Sequence, residues 1–199
     1  MNTFNLKESM EHLNKLKEEN ATSQKKGLPF MMASVLIWTI ILIIRLLDMK
    51  TGAMNLATFC CSVLLLPLAF VFSKMLKADV FKKMENPIAK LGFLATLNQM
   101  LYIIIVMWAY ADCPQAMLMI YAMVFGAHLL PFGWLYDSKA YTVVSIVETI
   151  AAMIINLYFG AVAMTAFMIV MQIVLSIVLY TDVRKGTEVS ESRDYCRSE

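Results

Sequence analysis

The stretch AYTVVSIVETIAAMIINLYFGAVA, residues 140–163, contains one charged side chain, Glu148. A helix that is apolar on every side is either buried in a large protein or crosses a membrane. At 199 residues the chain is too small to bury many such helices, and it contains several. A carboxyl group halfway across a bilayer is costly and marks a functional site by default. Glu148 is therefore the first candidate.

Composition sets the class. Hydrophobic residues make up 60% of the chain and charged residues 16%. Mean hydropathy is +0.66, well above that of a typical soluble domain. A net charge of +2 gives no footprint for nucleic acid. Residues 1–26 are polar, without the apolar region of a signal peptide, so the first span is expected to be an uncleaved anchor.

About 20 apolar residues cross the hydrocarbon of a bilayer. Six segments qualify: Leu28–Leu47, Asn55–Leu76, Pro87–Ala111, Pro114–Tyr136, Ala140–Tyr158 and Ala161–Thr181. Asn86-Pro87 and Asp112 before Pro114 read as caps ahead of first-turn prolines. The last boundary is the weakest, with Gly160 as its only breaker; one long kinked helix there would leave five spans.

Basic residues give a direction. Placing the N-terminus in the cytoplasm puts fifteen of seventeen Lys and Arg residues on the inner side, the basic loop from Lys74 to Lys90 with Lys82 and Lys83 among them. Only Arg45 and Lys50 fall outside. The positive-inside rule then predicts cytoplasmic termini. Trp134, Tyr136, Tyr141 and Tyr180 are expected at the inner interface, and Trp108, Tyr110 and Tyr158 at the outer one. Trp38, in mid-span, is expected to pack. Arg45 is expected to reach the headgroups or to pair with Asp48 or Asp112.

The expected fold is all-α: a polytopic membrane bundle of six transmembrane helices, N-in and C-in, with a short amphipathic N-terminal helix. Residues 1–27 form the cytoplasmic helix and linker, 28–183 the bundle, and 184–199 a disordered cytoplasmic tail. In the N-terminal helix Asn5 and Glu8 have capping-box spacing, and Leu6, Met10, Leu13 and Leu16 share a face. That face suits the membrane surface or a docking partner.

Depth is estimated from a rise of 1.5 Å per residue. Glu148 lies about 15 Å from the inner end of its span, level with Asn98, Gln99 and Gln172, and His128 lies about 12 Å in. Lipid cannot satisfy such groups, so they are expected to converge inside the bundle, with His128 or Gln172 as partner of Glu148. The stripe Tyr141, Ser145, Glu148 and Ala152 and the stripe Thr165, Gln172 and Ser176 fit helix contacts in membranes. The plainer reading of the amides is structural glue.

No hydrolase, protease or nucleotide-binding motif occurs, and no catalytic residue is assigned. The four cysteines, Cys60, Cys61, Cys113 and Cys196, lack metal or disulfide spacing, and the seventeen methionines read as packing, so no metal or other cofactor is expected. The Lys25-Lys26-Gly27-Leu28-Pro29-Phe30 lead-in, the amphipathic N-terminal helix and six compact spans together resemble uncharacterised bacterial six-span membrane proteins. That resemblance implies an inner or plasma membrane location and no activity. The expected function is a proton-linked transporter, or a protein binding a small molecule or lipid at a midplane site around Glu148. Its partners would be the bilayer, a proton or small solute, and a second copy of the chain, since six spans are few for a monomeric carrier. The rival is a scaffold, sensor or accessory subunit.

Overall fold

Asn86 shows how the sequence starts its helices. Its Oδ1 accepts from the Ile88 backbone N–H at 2.8 Å, and Pro87 occupies the first turn, where no N–H is needed. Helix α5 (Pro87–Asp112) begins there, as the Asn-Pro pair predicts. The computed structural model describes the backbone of residues 3–80 and 86–197 and the side chains of residues 6–80 and 86–186. Lys82 and Lys83, and the side chains of Asn5, Arg193, Cys196 and Arg197, lie outside the described residues.

Among the described residues the chain is all helix. Helix α1 (Thr3–Ser23) leads through a 3-10 turn (Lys25–Gly27) into α2 (Leu28–Leu46). Next come α3 (Thr51–Val63), α4 (Leu65–Leu76) and α5, then α6 (Met117–His128), α7 (Leu130–Leu135) and α8 (Lys139–Arg197). The breaks at Leu64 and Leu129 each lie just ahead of a proline, Pro67 and Pro131, whose missing N–H interrupts the ladder. Asp112 does not cap the next helix. It ends α5, and α6 starts at Met117 without a side-chain cap.

Five helical stretches are long and apolar enough to cross a membrane: Lys25–Leu46, Thr51–Leu76, Pro87–Asp112, Met117–Leu135 and Lys139–Gly186. The fifth holds both of the last two segments expected from the sequence. It is not straight. Glu148 and Gln172 are 24 residues apart, about 36 Å along a continuous helix, yet their side chains are hydrogen-bonded at 2.7 Å. Tyr141 and Asp182 both bond to Lys26. The helix therefore doubles back at Gly160, whose φ of 84° and ψ of 175° belong to a region open essentially to glycine alone. No break marks the expected tail boundary at residue 183, and the helix continues to Arg197.

The two arms of α8 pack against α2 and α6, and these make the centre. Where α6 and α7 pack against α8, they meet it at glycines. A Cβ on Gly126 would stand 3.0 Å from the Thr149 backbone nitrogen and from Glu148 Cβ, and one on Gly133 would meet Thr142. Gly126 and Gly133 are seven residues apart, as are Thr142 and Thr149, so one antiparallel seam uses small residues every two turns. Helix α5 is peripheral: 6% of its apolar window is buried, against 56% in α2.

The chain reversals sort the charges. One end carries the elbow at residues 25–27, the α4 terminus, the start of α5 and the start of α8, where Asp79 N–H bonds Ser23 O and Asn86 Nδ2 bonds Leu16 O. Lys25, Lys26, Lys74, Lys77 and Lys139 lie at this end. Arg45 and Lys50 lie at the other, where Asn55 Nδ2 reaches Pro114 O at 2.8 Å.

Candidate functional site

Glu148 is wholly buried, on the stripe of α8 that also buries Tyr141, Ser145 and Ala152. The returning arm offers Met164, Thr165, Met168, Gln172, Leu175 and Leu179, all fully covered. Helix α2 contributes a third face, Met31, Ser34, Trp38 and Ile41, at spacings of three and four. Where these faces meet, Gln172 Nε2 donates to Glu148 Oε1 at 2.7 Å, and Ser34 Oγ lies 2.7 Å from Gln172 Oε1. Glu148 Oε2 is buried and has no hydrogen-bond partner among the described residues.

The fold brings together two of the five sequence candidates, Glu148 and Gln172. It adds Ser34, which the sequence did not single out because one serine in an apolar helix reads as packing. His128 is not the partner of Glu148. It stands edge-on to the Phe132 ring, 5.0 Å between centroids, at the end of α6. Asn98 does not converge on the interior either. It is exposed on α5, and Gln99 is only partly covered. Depth along a helix did not reveal that α5 lies at the rim.

Aromatic side chains close the site along the bundle axis. Trp38 packs against Tyr121 and Phe125 at 5.6 Å on the side towards Arg45. Towards the elbow lie His128, Phe132, Tyr136 and Tyr141. Tyr136 and Tyr141 are buried, unlike interface anchors. Their hydroxyls donate to Gln24 Oε1 and Lys26 O, both at 2.8 Å. They hold an elbow in which Lys25, Lys26 and Gly27 all have positive φ.

The triad suits a carboxyl group that gains and loses a proton. Ser34 Oγ is 2.7 Å from both Met31 O and Gln172 Oε1, but its one hydrogen serves one acceptor at a time. With Glu148 ionised, Gln172 Nε2 donates to the carboxylate and Ser34 donates to Gln172 Oε1. With Glu148 protonated, the amide turned over gives a second paired pattern. The carboxyl O–H then donates to Gln172 Oε1, the amide N–H to Ser34 Oγ, and the Ser34 hydroxyl to Met31 O. The turn exchanges the amide oxygen and nitrogen, and in each state one of the two amide N–H groups donates.

No curated protein and no solved structure matches the chain. Residues 13–182 match a family of unknown function, DUF7010, and by that match over most of its length the chain belongs to this family.

Proposed function

We propose that the chain is a six-span membrane protein that binds a proton at Glu148 and couples it to movement of a small solute. The two arms of α8 are counted as separate spans, with residues 1–27 and 184–199 on the cytoplasmic side of the 28–183 bundle. The sorting of basic residues to one end supports that direction. The observation that carries the proton reading is Glu148 itself: fully buried, bonded to one neutral amide, with Oε2 unpartnered. A permanent structural ion pair would supply a cation, and no cation lies within ion-pair distance of Glu148 among the described residues. The aromatic layers on both sides fit an occluded state of an alternating-access cycle.

Infrared difference spectra of reconstituted protein, recorded across a pH step, test the reading. A carboxyl stretch that titrates in the wild type and vanishes in Glu148→Gln is expected. No titrating band, together with a large stability loss in that variant, would overturn it. Transport is tested separately, by solute-driven proton uptake into proteoliposomes loaded with a pH dye.

A second copy is the favoured partner. Asn98 presents an amide on the exposed, otherwise apolar middle of α5, where lipid offers no hydrogen bond. A homodimer through α5 would pair it. The scaffold reading draws on α1, whose Leu6 and Met10 are each 56% exposed, while Leu16 and Lys17 further along it meet Asn86 and Trp134. Deleting residues 1–24 separates the two: a scaffold loses its partner, and a carrier keeps most of its flux.

A further inference from the structure

Arg45, one residue from the end of α2, continues the buried face of Ser34, Trp38 and Ile41. It does not pair with Asp48 or Asp112, and no carboxylate lies within 4 Å of it among the described residues. Its Nη2 donates instead to two neutral oxygens of α3, Asn55 Oδ1 at 2.8 Å and Thr58 Oγ1 at 3.2 Å. Both residues are wholly buried. Asn55 is fixed in turn by its bond to Pro114 O, and Thr58 by its bond to Met54 O. The Arg45 Nε is buried with no hydrogen-bond partner among the described residues.

The scaffold thus fixes the orientation of a guanidinium and leaves its charge uncompensated. Neutral oxygens offset only part of the cost of withdrawing a cation from water, and a counter-charge offsets more. The side chain is only partly covered, so part of its surface stays open to a ligand. Its level in the bundle says which ligand. Trp108 and Tyr158, exposed at this same end, are ring types that settle at the headgroup boundary. Phosphate groups are the abundant oxyanions at that depth, and a planar guanidinium matches them in geometry as well as charge.

We propose that Arg45, held by Asn55 and Thr58, is an oxyanion site for a phosphate group, from a lipid headgroup or from free phosphate. It rests on the membrane reading and not on proton binding at Glu148. Asn55 and Thr58 are positioning residues.

The test uses purified, delipidated full-length protein. Its thermal unfolding is followed with phosphatidylglycerol, with a phosphate-free digalactosyl lipid, and with inorganic phosphate. Phosphatidylglycerol is expected to raise Tm and the galactolipid is not. Arg45→Gln should lose that shift, while Lys50→Gln, an exposed neighbour in charge, keeps it. If inorganic phosphate reproduces the shift, the ligand is the free ion; if only the phospholipid does, it is the headgroup. Should Arg45→Gln not fold, Thr58→Val retains the cation and frees one of its anchors. It should bind phosphatidylglycerol more weakly by native mass spectrometry, because the guanidinium is no longer held in one orientation. Equal stabilisation by the galactolipid, or a full phospholipid effect in Arg45→Gln, would overturn the site.

Discussion

Glu148, Gln172 and Ser34 are expected to respond differently to removal, because only Glu148 has an ionisable side chain. In Glu148→Gln the new amide can donate to Gln172 Oε1 as a protonated carboxyl would. We expect Tm within a few degrees of wild type and loss of pH dependence in any transport or binding assay. Gln172→Leu is the harsher change. It strands a buried carboxyl group, at a cost of about 1–3 kcal/mol. Calorimetry in detergent should rank Gln172→Leu well below Glu148→Gln. Because no hydrogen bond or ion pair joins His128 to Glu148, the effects of His128→Ala and Glu148→Gln should add to within about 0.5 kcal/mol. A coupling of several times that size would mean that the imidazole reaches the carboxyl group after all.

Among the helices, glycine decides one reversal and one close approach. Gly160 has open space around it, so a side chain there meets nothing within 4 Å. Its φ of 84° nevertheless forbids one. Gly160→Ala should cost about 1–3 kcal/mol with no steric clash to blame, a loss carried by the backbone alone. Gly126 is the reverse case, a helical glycine with no room. Gly126→Ala gains about 1 kcal/mol of helix propensity but pushes α6 from the Thr149 backbone, at an overpacking cost of about 1–3 kcal/mol. The net expected change is a modest destabilisation that also shifts Glu148. The titrating carboxyl band should therefore move in Gly126→Ala and stay unmoved in Gly160→Ala.

Across the whole molecule, orientation and assembly are open to direct measurement. A reporter fused after Arg184 and another inserted beside Lys50 should report opposite sides of the membrane. Same-side signals would mean an even number of crossings between them, which the six-span arrangement excludes. Asn98→Cys should cross-link to its copy in native membranes with a short bifunctional reagent, whereas a cysteine at buried Ala122 should not. Absence of the Asn98 cross-link, with the chain monomeric in nanodiscs, would leave α5 facing lipid.

Much of this was legible in the chain. Runs of apolar residues, Asn86-Pro87 at a helix start and the one-sided distribution of Lys and Arg are local properties, set by helix chemistry and the cost of charge in lipid. The sequence also marked Glu148 and Gln172, since a polar group in an apolar run is visible without a fold. Their meeting was not visible: Glu148 and Gln172 lie twelve residues either side of Gly160, and only the reversal there brings them to 2.7 Å. Nor could depth along a helix tell a central helix from a rim helix. By depth alone Asn98 and Gln99 stand level with the site, and Ser34 is one serine in an apolar helix. Helix rotation and neighbour choice follow from how whole faces interlock, at Gly126 and Gly133 above all. They are decided by packing among segments far apart in the chain.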